Sequence, residues 1–163
     1  AVKGRLATEE NIRELIDITT ALNKSAALAA MAFSPHACTD VTGFGLAGHL
    51  LEMCRASGKE MTLSVAAVPF IRAAVEFGRM GFFPAGAYTN KQFFDHSVWM
   101  AEGVDPILAD LLFDPQTSGG LLISVTGADA PGLAAAMRDK GLSAHIIAEV
   151  TGDADCGALK IME

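Results

Sequence analysis

The chain has 163 residues, of which 51% are hydrophobic and 19% charged, with a formal net charge of −7. This is enough chain for one domain with its own core, and the composition excludes a disordered polymer. The acidic balance excludes a nucleic-acid surface of clustered Lys and Arg, no apolar run reaches the ~20 residues of a membrane span, and the three scattered cysteines, Cys38, Cys54 and Cys156, form neither a disulfide framework nor a CxxC zinc site.

In chain order, Thr8 reads as a helix N-cap with Glu9 and Glu10 in the first turn. Ile12, Leu15, Ile16, Thr19 and Leu22 follow at helical spacing, and residues 26–31 carry that helix on until Ser34-Pro35 stops it. Residues 37–41 read as a short strand that runs into a Thr42-Gly43-Phe44-Gly45 turn. A second helix is predicted over 46–56, with Leu46, Leu50, Met53 and Cys54 on one apolar face and Gly58 just past its end. Residues 61–65 read as a strand, and 70–77 as a third helix closed by Gly78. Residues 81–91 mix turn formers with aromatics and read as a long ordered loop that packs on something, a candidate lid. Residues 93–99 fit strand and loop equally.

Asp105-Pro106 opens a short helix to residue 112, with Pro at its first position. Residues 114–120 are a dense turn and 121–125 a strand. Asp129 is read as the cap of a helix that has Pro131 in its first turn and runs to Lys140, before Gly141. Residues 145–150 read as a strand, 151–157 as a turn and 158–162 as a last strand. Short strands interspersed with helices predict an α+β fold in the ferredoxin-like style. Its mixed or antiparallel sheet would have four to five strands with helices packed on it. No internal repeat or interdomain linker is present. The opening residues have neither a signal-peptide pattern nor an initiating Met, so the chain reads as a piece of something longer, and its scattered, unpaired cysteines suit a cytoplasmic home.

Gly43, Gly45 and Gly48 match GxGxxG after a strand and at the start of a helix. A dinucleotide fingerprint also wants an acidic residue roughly 20 residues on, near the end of the next strand. Val65-Ala66-Ala67-Val68 stands there instead. The plainer reading is a glycine-loosened turn, with Gly48 admitting close helix packing. Asp40, inside an apolar strand one step before that turn, reads either as a ligand for a hard divalent cation or as the start of an Asx turn. The 114–120 segment, DPQTSGG, reads either as an anion nest of amides and hydroxyls or as a tight turn in which Asp114 bonds its own backbone. Local features favour the turn. His36 and Cys38 can each ligate a metal, but no second pair follows, and no base stands beside Cys38 to activate it. His49 reads as structural. GxSxG and HExxH do not occur, and Ser57-Gly58-Lys59 has Met53 where a P-loop needs glycine.

Two blocks, TDVTGFGLAGHLLEM at 39–53 and DPQTSGGLL at 114–122, resemble selenophosphate synthetase (selenide, water dikinase), with LNK at 22–24 upstream and PAGAYTN at 84–90 between them. The resemblance covers this chain but not the family's whole length. It implies the C-terminal domain shared with AIR synthetase, thiamine-monophosphate kinase and a hydrogenase maturation protein, a ferredoxin-like α+β variant. It also implies transfer of the γ-phosphate of ATP to selenide, giving selenophosphate, AMP and orthophosphate. By that resemblance Asp40 matches a Mg²⁺-binding aspartate at the nucleotide site, and Thr42, Gly43 and Gly45 line the same phosphate-facing turn.

The family's reactive Cys or selenocysteine, its reactive Lys, its other metal-binding aspartates and most of its ATP pocket lie in an N-terminal domain. No catalytic residue is therefore expected here. The partners implied are ATP, selenide, that N-terminal domain and a second copy in a homodimer. Two alternatives stand beside this reading. One is a non-catalytic packing module that exposes an apolar surface, and the other is the same domain from a superfamily enzyme with a different acceptor.

Overall fold

The computed structural model describes the chain from Ala1 to Glu163, the side chain of Asp95 excepted. Four strands form one sheet in the order β3-β6-β2-β5, with β2 at Lys59–Ser64, β3 at Val98–Met100, β5 at Ala148–Asp153 and β6 at Ala158–Met162. β5 is antiparallel to β2, while β6 runs parallel to β2 and β3 runs parallel to β6. The sheet is mixed, as expected. Two further strands, β1 (Ala37–Asp40) and β4 (Leu121–Ser124), pair antiparallel as a separate ribbon. A dinucleotide fold needs its first strand in a parallel sheet, so the ribbon confirms that the GxGxxG match is coincidental.

Helix α3 (Gly45–Ser57) lies between ribbon and sheet and forms the centre of the core. Its apolar residues recur at helical spacing, and Leu50, Leu51 and Cys54 are buried against Leu63, Leu159 and Ile161 of the sheet. Each fully buried leucine contributes about 1.5–3 kcal/mol. The helix ends where Gly58 takes the left-handed conformation at φ 63°. A smaller core forms where α2 (Lys24–Ala30) meets α7 (Ala130–Arg138), with Ala29 and Ala30 against Leu133 and Met137. Among the described residues no helix is long and apolar enough to cross a membrane.

Several boundaries differ from the sequence expectation for local reasons. The first helix is two: α1 (Glu9–Thr20) ends before α2 begins. Thr19 and Thr20 turn their hydroxyls back onto the carbonyls of Leu15 and Ile16, and Ala21 leaves the helix in extended geometry. Gly78 lies inside α4 (Arg72–Arg79), packed against Ile107 and Phe83, so it does not close that helix. Residues 93–99 end in the edge strand β3. Asp129 does not cap α7 with its side chain. Instead Thr126 Oγ1 accepts from the Asp129 amide and donates to the Asp129 carboxylate. β5 begins and ends three residues later than predicted, because its pairing runs from Leu63↔Ala148 to Lys59↔Asp153, where Lys59 and Asp153 form an ion pair.

The larger correction is α5 (Ala85–Phe94), a helix where a lid-like loop was expected. Pro84 stands just before its first residue, where proline suits a helix start, and alanines and long polar residues follow. Gly86 sits in the first turn because Pro115 packs over it: a Cβ there would come within 2.7 Å of the proline ring. Phe83 and Tyr88 meet edge to face at 6.0 Å, which accounts for part of the aromatic content.

Candidate functional site

Asp40 is the last residue of β1, paired with Leu121 of β4. The backbone pairing continues one step further, as Val41 donates to the Gly120 carbonyl at 3.0 Å and accepts from the Gly119 amide at 3.0 Å. Val41 is buried, while Asp40 is exposed and Thr42 half-buried. In an extended chain this alternation puts Asp40 and Thr42 on the side opposite Val41. Asp40 is thus not enclosed in an apolar strand, and no desolvation cost demands a partner. Among the described residues, no hydrogen bond or ion pair engages its carboxylate, so the Asx turn is absent.

The two motif blocks, some 70 residues apart in sequence, form one rim. The Thr42 carbonyl accepts from the amides of Gly45 at 3.1 Å and Gln116 at 3.0 Å. The Ala47 amide donates to the Leu112 carbonyl at 2.9 Å. Gly45 has φ 72°, and a Cβ on it would stand 2.7 Å from the Phe113 carbonyl carbon and 2.8 Å from the Leu112 oxygen. Its backbone conformation and close approach both require glycine. Gly45 is buried in this seam, so it shapes the turn from beneath and does not itself offer a phosphate-facing surface. Gly43 is the reverse: it is exposed, and nothing lies within 4 Å of the Cβ it lacks. Gly48 admits Phe94, whose ring edge would be 2.7 Å from an added Cβ, as the close-packing reading anticipated.

Helix α5 braces the rim. Asn90 Nδ2 donates both to the Gly43 carbonyl at 2.8 Å and to the Phe113 carbonyl at 3.0 Å. Lys91 pairs with Asp110 at 2.5 Å, tying α5 to α6 (Pro106–Leu111). These bonds make α5 a fixed support. No local pattern in the sequence announces Asn90, because both of its acceptors are backbone atoms of distant segments.

Asp114 does not bond its own backbone. Gln116 Nε2 donates to the Asp114 carboxylate at 3.0 Å and to its carbonyl at 3.1 Å. Burial pushes the Asp114 carboxyl above the usual carboxylate range, and the Gln116 hydrogen bond opposes that only in part. Cys38, two residues before Asp40 and exposed, has its thiol pushed up by partial desolvation and by the Asp40 charge. A raised thiol is a poor nucleophile, in keeping with the sequence reading. Cys54 is buried in α3 and Cys156 is exposed beyond β5.

The rim presents the Asp40 carboxylate, the hydroxyls of Thr117 and Ser118, and the amides of Thr42, Gly43, Thr117 and Ser118, none of which has a hydrogen-bond acceptor among the described residues. Such a surface suits an anion on the amides and a hard cation on the carboxylate. His36 and Cys38 do not join Asp40 in a metal cluster: among the described residues no three His, Cys, Asp or Glu side chains converge. One carboxylate fits Mg²⁺, which usually takes one or two protein carboxylates and completes its shell with phosphate and water. A concavity on the sheet, lined by Thr62, Trp99, Lys160 and Met162, contains none of these residues.

Residues 3–159 match the family described as AIR synthase related protein, C-terminal domain. The chain belongs to that family. As a member of the AIR synthase related C-terminal domains, it is 44% identical over 151 residues to a protein named selenide, water dikinase from Pelobacter propionicus, a match covering 92% of this chain and 43% of the relative. It is 41% identical to selenide, water dikinase 2 of Peptoclostridium acidaminophilum, covering 91% and 43% of the two chains. A selenide, water dikinase of Clostridioides difficile is 39% identical, covering 93% and 43%. The chain therefore spans less than half the length of these curated relatives. Among solved structures, E. coli HypE, a hydrogenase maturation protein, superposes with a TM-score of 0.61 at 19% identity, over 94% of this chain and 41% of that one. The shared fold is the α+β architecture anticipated for an AIR synthetase-type C-terminal domain.

Proposed function

We propose that this chain is the C-terminal domain of a selenide, water dikinase, and that it supplies one side of a Mg²⁺-ATP site completed by an N-terminal domain. In the whole enzyme the γ-phosphate of ATP passes to selenide, giving selenophosphate. AMP and orthophosphate are the other products, with water consumed. The observation that carries the proposal is the rim itself: the exposed carboxylate of Asp40 beside unpaired amides and hydroxyls, at a place where no three His, Cys, Asp or Glu side chains converge among the described residues. A triphosphate with its cations needs several ligands, so a rim without such a cluster is suited to sharing. The relatives' names favour selenide as acceptor over the AIR synthetase or thiamine-monophosphate kinase acceptors.

In this reading Asp40 holds Mg²⁺, and the bound ion neutralises phosphate charge. The exposed amide of Gly43 faces the phosphates. Gly45 holds the turn in place from below. ATP, selenide, the N-terminal domain and a second copy in a homodimer are the partners. A cytoplasmic location belongs to the same proposal, since the exposed thiols of Cys38 and Cys156 suit a reducing compartment.

The test is selenide-dependent AMP formation by the purified 163-residue chain. No product is expected, and robust AMP production would overturn the shared-site reading. A second reading, a packing module, draws on a separate observation. No residue of α1 is buried, and Ile16, Leu22, Leu28 and Met31 of the first two helices and their flanks are all exposed. Light scattering with an apolar dye separates the two: a monodisperse monomer that binds little dye argues against the module.

A further inference from the structure

His49, which the sequence presented as structural, is wired to the rim. Its ring is buried in the first turns of α3 at 7% exposure, beside the Phe44 ring at 5.7 Å. Nε2 lies 3.1 Å from Thr42 Oγ1, and Nδ1 lies 2.9 Å from Glu52 Oε2 one helical turn on. The Glu52 oxygen sits off the ring N–H axis, so the contact is close without being an aligned hydrogen bond. It still determines where the ring proton goes. A carboxylate oxygen and an imidazole lone pair repel at 2.9 Å, whereas a carboxylate and an N–H attract. A ring that holds one proton therefore carries it on Nδ1, which leaves Nε2 an acceptor. Among the described residues its hydrogen-bond partner is the Thr42 hydroxyl, which donates to it.

A threonine hydroxyl has one proton and two lone pairs. With the proton committed inward to His49, only lone pairs remain for whatever approaches the rim. Lone pairs suit a cation and repel a phosphate oxygen. We propose that His49 is a positioning residue: set by Glu52, it orients the Thr42 hydroxyl so that Oγ1 serves as a neutral oxygen donor to the divalent cation held by Asp40, and not as a donor to phosphate. This rests on the assignment of Asp40 to a cation made above, and it moves Thr42 from the phosphate side of the site to the metal side. Thr42 and Asp40 flank the buried Val41, which gives them the common side of the chain that two ligands of one ion need.

The probe is Mn²⁺ alone, added to the isotope-labelled 163-residue chain and followed by NMR. Long-range proton–nitrogen spectra of His49 are expected to show the Nδ1–H tautomer, and the Nε2–H tautomer would overturn the proposal. Mn²⁺ is expected to broaden the Asp40 and Thr42 side-chain signals together, and Asp40→Asn to abolish both effects. His49→Phe keeps the buried ring but removes the acceptor, and should weaken Mn²⁺ binding about tenfold. His49→Gln keeps an acceptor and should retain wild-type affinity. Amide spectra of each variant establish that the fold persists. Where His49→Phe unfolds the chain, Thr42→Val, which deletes the hydroxyl without touching the helix, takes its place with the same expected loss. If Asp40→Asn abolishes broadening while His49→Phe and Thr42→Val leave Mn²⁺ affinity unchanged, the proposal fails and the Asp40 site stands. If the wild-type chain shows no broadening at Asp40 even at high Mn²⁺ concentration, the cation assignment fails and this inference falls with it.

Discussion

Gly43 and Gly45 stand two residues apart in one turn, and the structure assigns them opposite responses to the same substitution. Gly45→Ala puts a Cβ on a residue at φ 72°, a conformation that costs an L-residue about 1–2 kcal/mol. The new atom also meets Phe113 C at 2.7 Å, Leu112 O at 2.8 Å and Asp114 O at 2.9 Å. All three are backbone atoms, so no side chain can swing away, and overpacking of this kind costs about 1–3 kcal/mol. The sum is roughly 2–5 kcal/mol, which for a domain of this size lowers Tm by roughly 4–20 °C. Gly43→Ala meets nothing within 4 Å, and Gly43 is not among the positive-φ glycines. It should leave stability unchanged or raise it by up to about 1 kcal/mol through the unfolded chain. Urea and thermal denaturation of the two variants beside the parent provide the assay. Equal stability of Gly45→Ala and the parent, or equal loss in both variants, would refute the seam between the two motif blocks.

Asn90→Ala removes both bonds from α5 to the rim. A loss of about 1–3 kcal/mol in urea unfolding is expected, with faster amide exchange across the 113–119 segment, and an unchanged exchange pattern would remove α5 as the brace. Asp114 has a pH signature. Its carboxyl is raised in the folded state by burial, so the unfolded chain releases that proton at lower pH and stability falls as pH rises from about 4 through the raised value. Asp114→Asn should therefore be the more stable form at pH 7 and lose that advantage at pH 3; a parent more stable at pH 7 would contradict it. Glu60 behaves oppositely: hydrogen bonds from Lys160 and Thr151 hold it below its ordinary range, so its contribution is present above about pH 4.3 and fades as pH falls through the lowered value. Glu60→Gln should narrow the stability difference between pH 7 and pH 2, as read by denaturation midpoints.

The parts of the fold legible in the sequence are those whose signals are local. Helix α3 was read to within one residue at each end because a glycine turn, one apolar face and a left-handed Gly58 agree. The start of α6 followed from Asp105 and Pro106, and Asp105 does accept from the Ile107 amide at 2.8 Å. Helix α5 does not show in the sequence, because Pro84, Gly86 and Asn90 are loop residues by composition. What each does depends on Pro115, Phe113 and Gly43, which lie elsewhere in the chain. The pairing of β1 with β4 is similarly non-local: each is four residues long, and neither names its partner.

The site divides the same way. Asp40 was visible as a lone carboxylate before a glycine turn, though its setting is an exposed strand end and not an apolar interior. The distinct duties of Gly43 and Gly45 were not visible, because only contact with residues 112–114 separates them. His49 is the least legible of these residues. A Glu three positions after a helical His, and a Thr seven before it, was the available signal, and it acquires meaning only once the turn folds Thr42 back over α3.

The central claim is that Asp40 belongs to a shared Mg²⁺-ATP site. It is tested most directly by replacing the matched segment of the Pelobacter propionicus selenide, water dikinase with this chain and measuring selenide-dependent AMP formation with and without Asp40→Asn. The chimera should turn over, and Asp40→Asn should lower the rate by at least about 100-fold with the fold intact, the loss that follows when an ion's charge stabilisation of several kcal/mol is forfeited. Undiminished turnover by the Asp40→Asn chimera, or a folded chimera that forms no AMP, would contradict it.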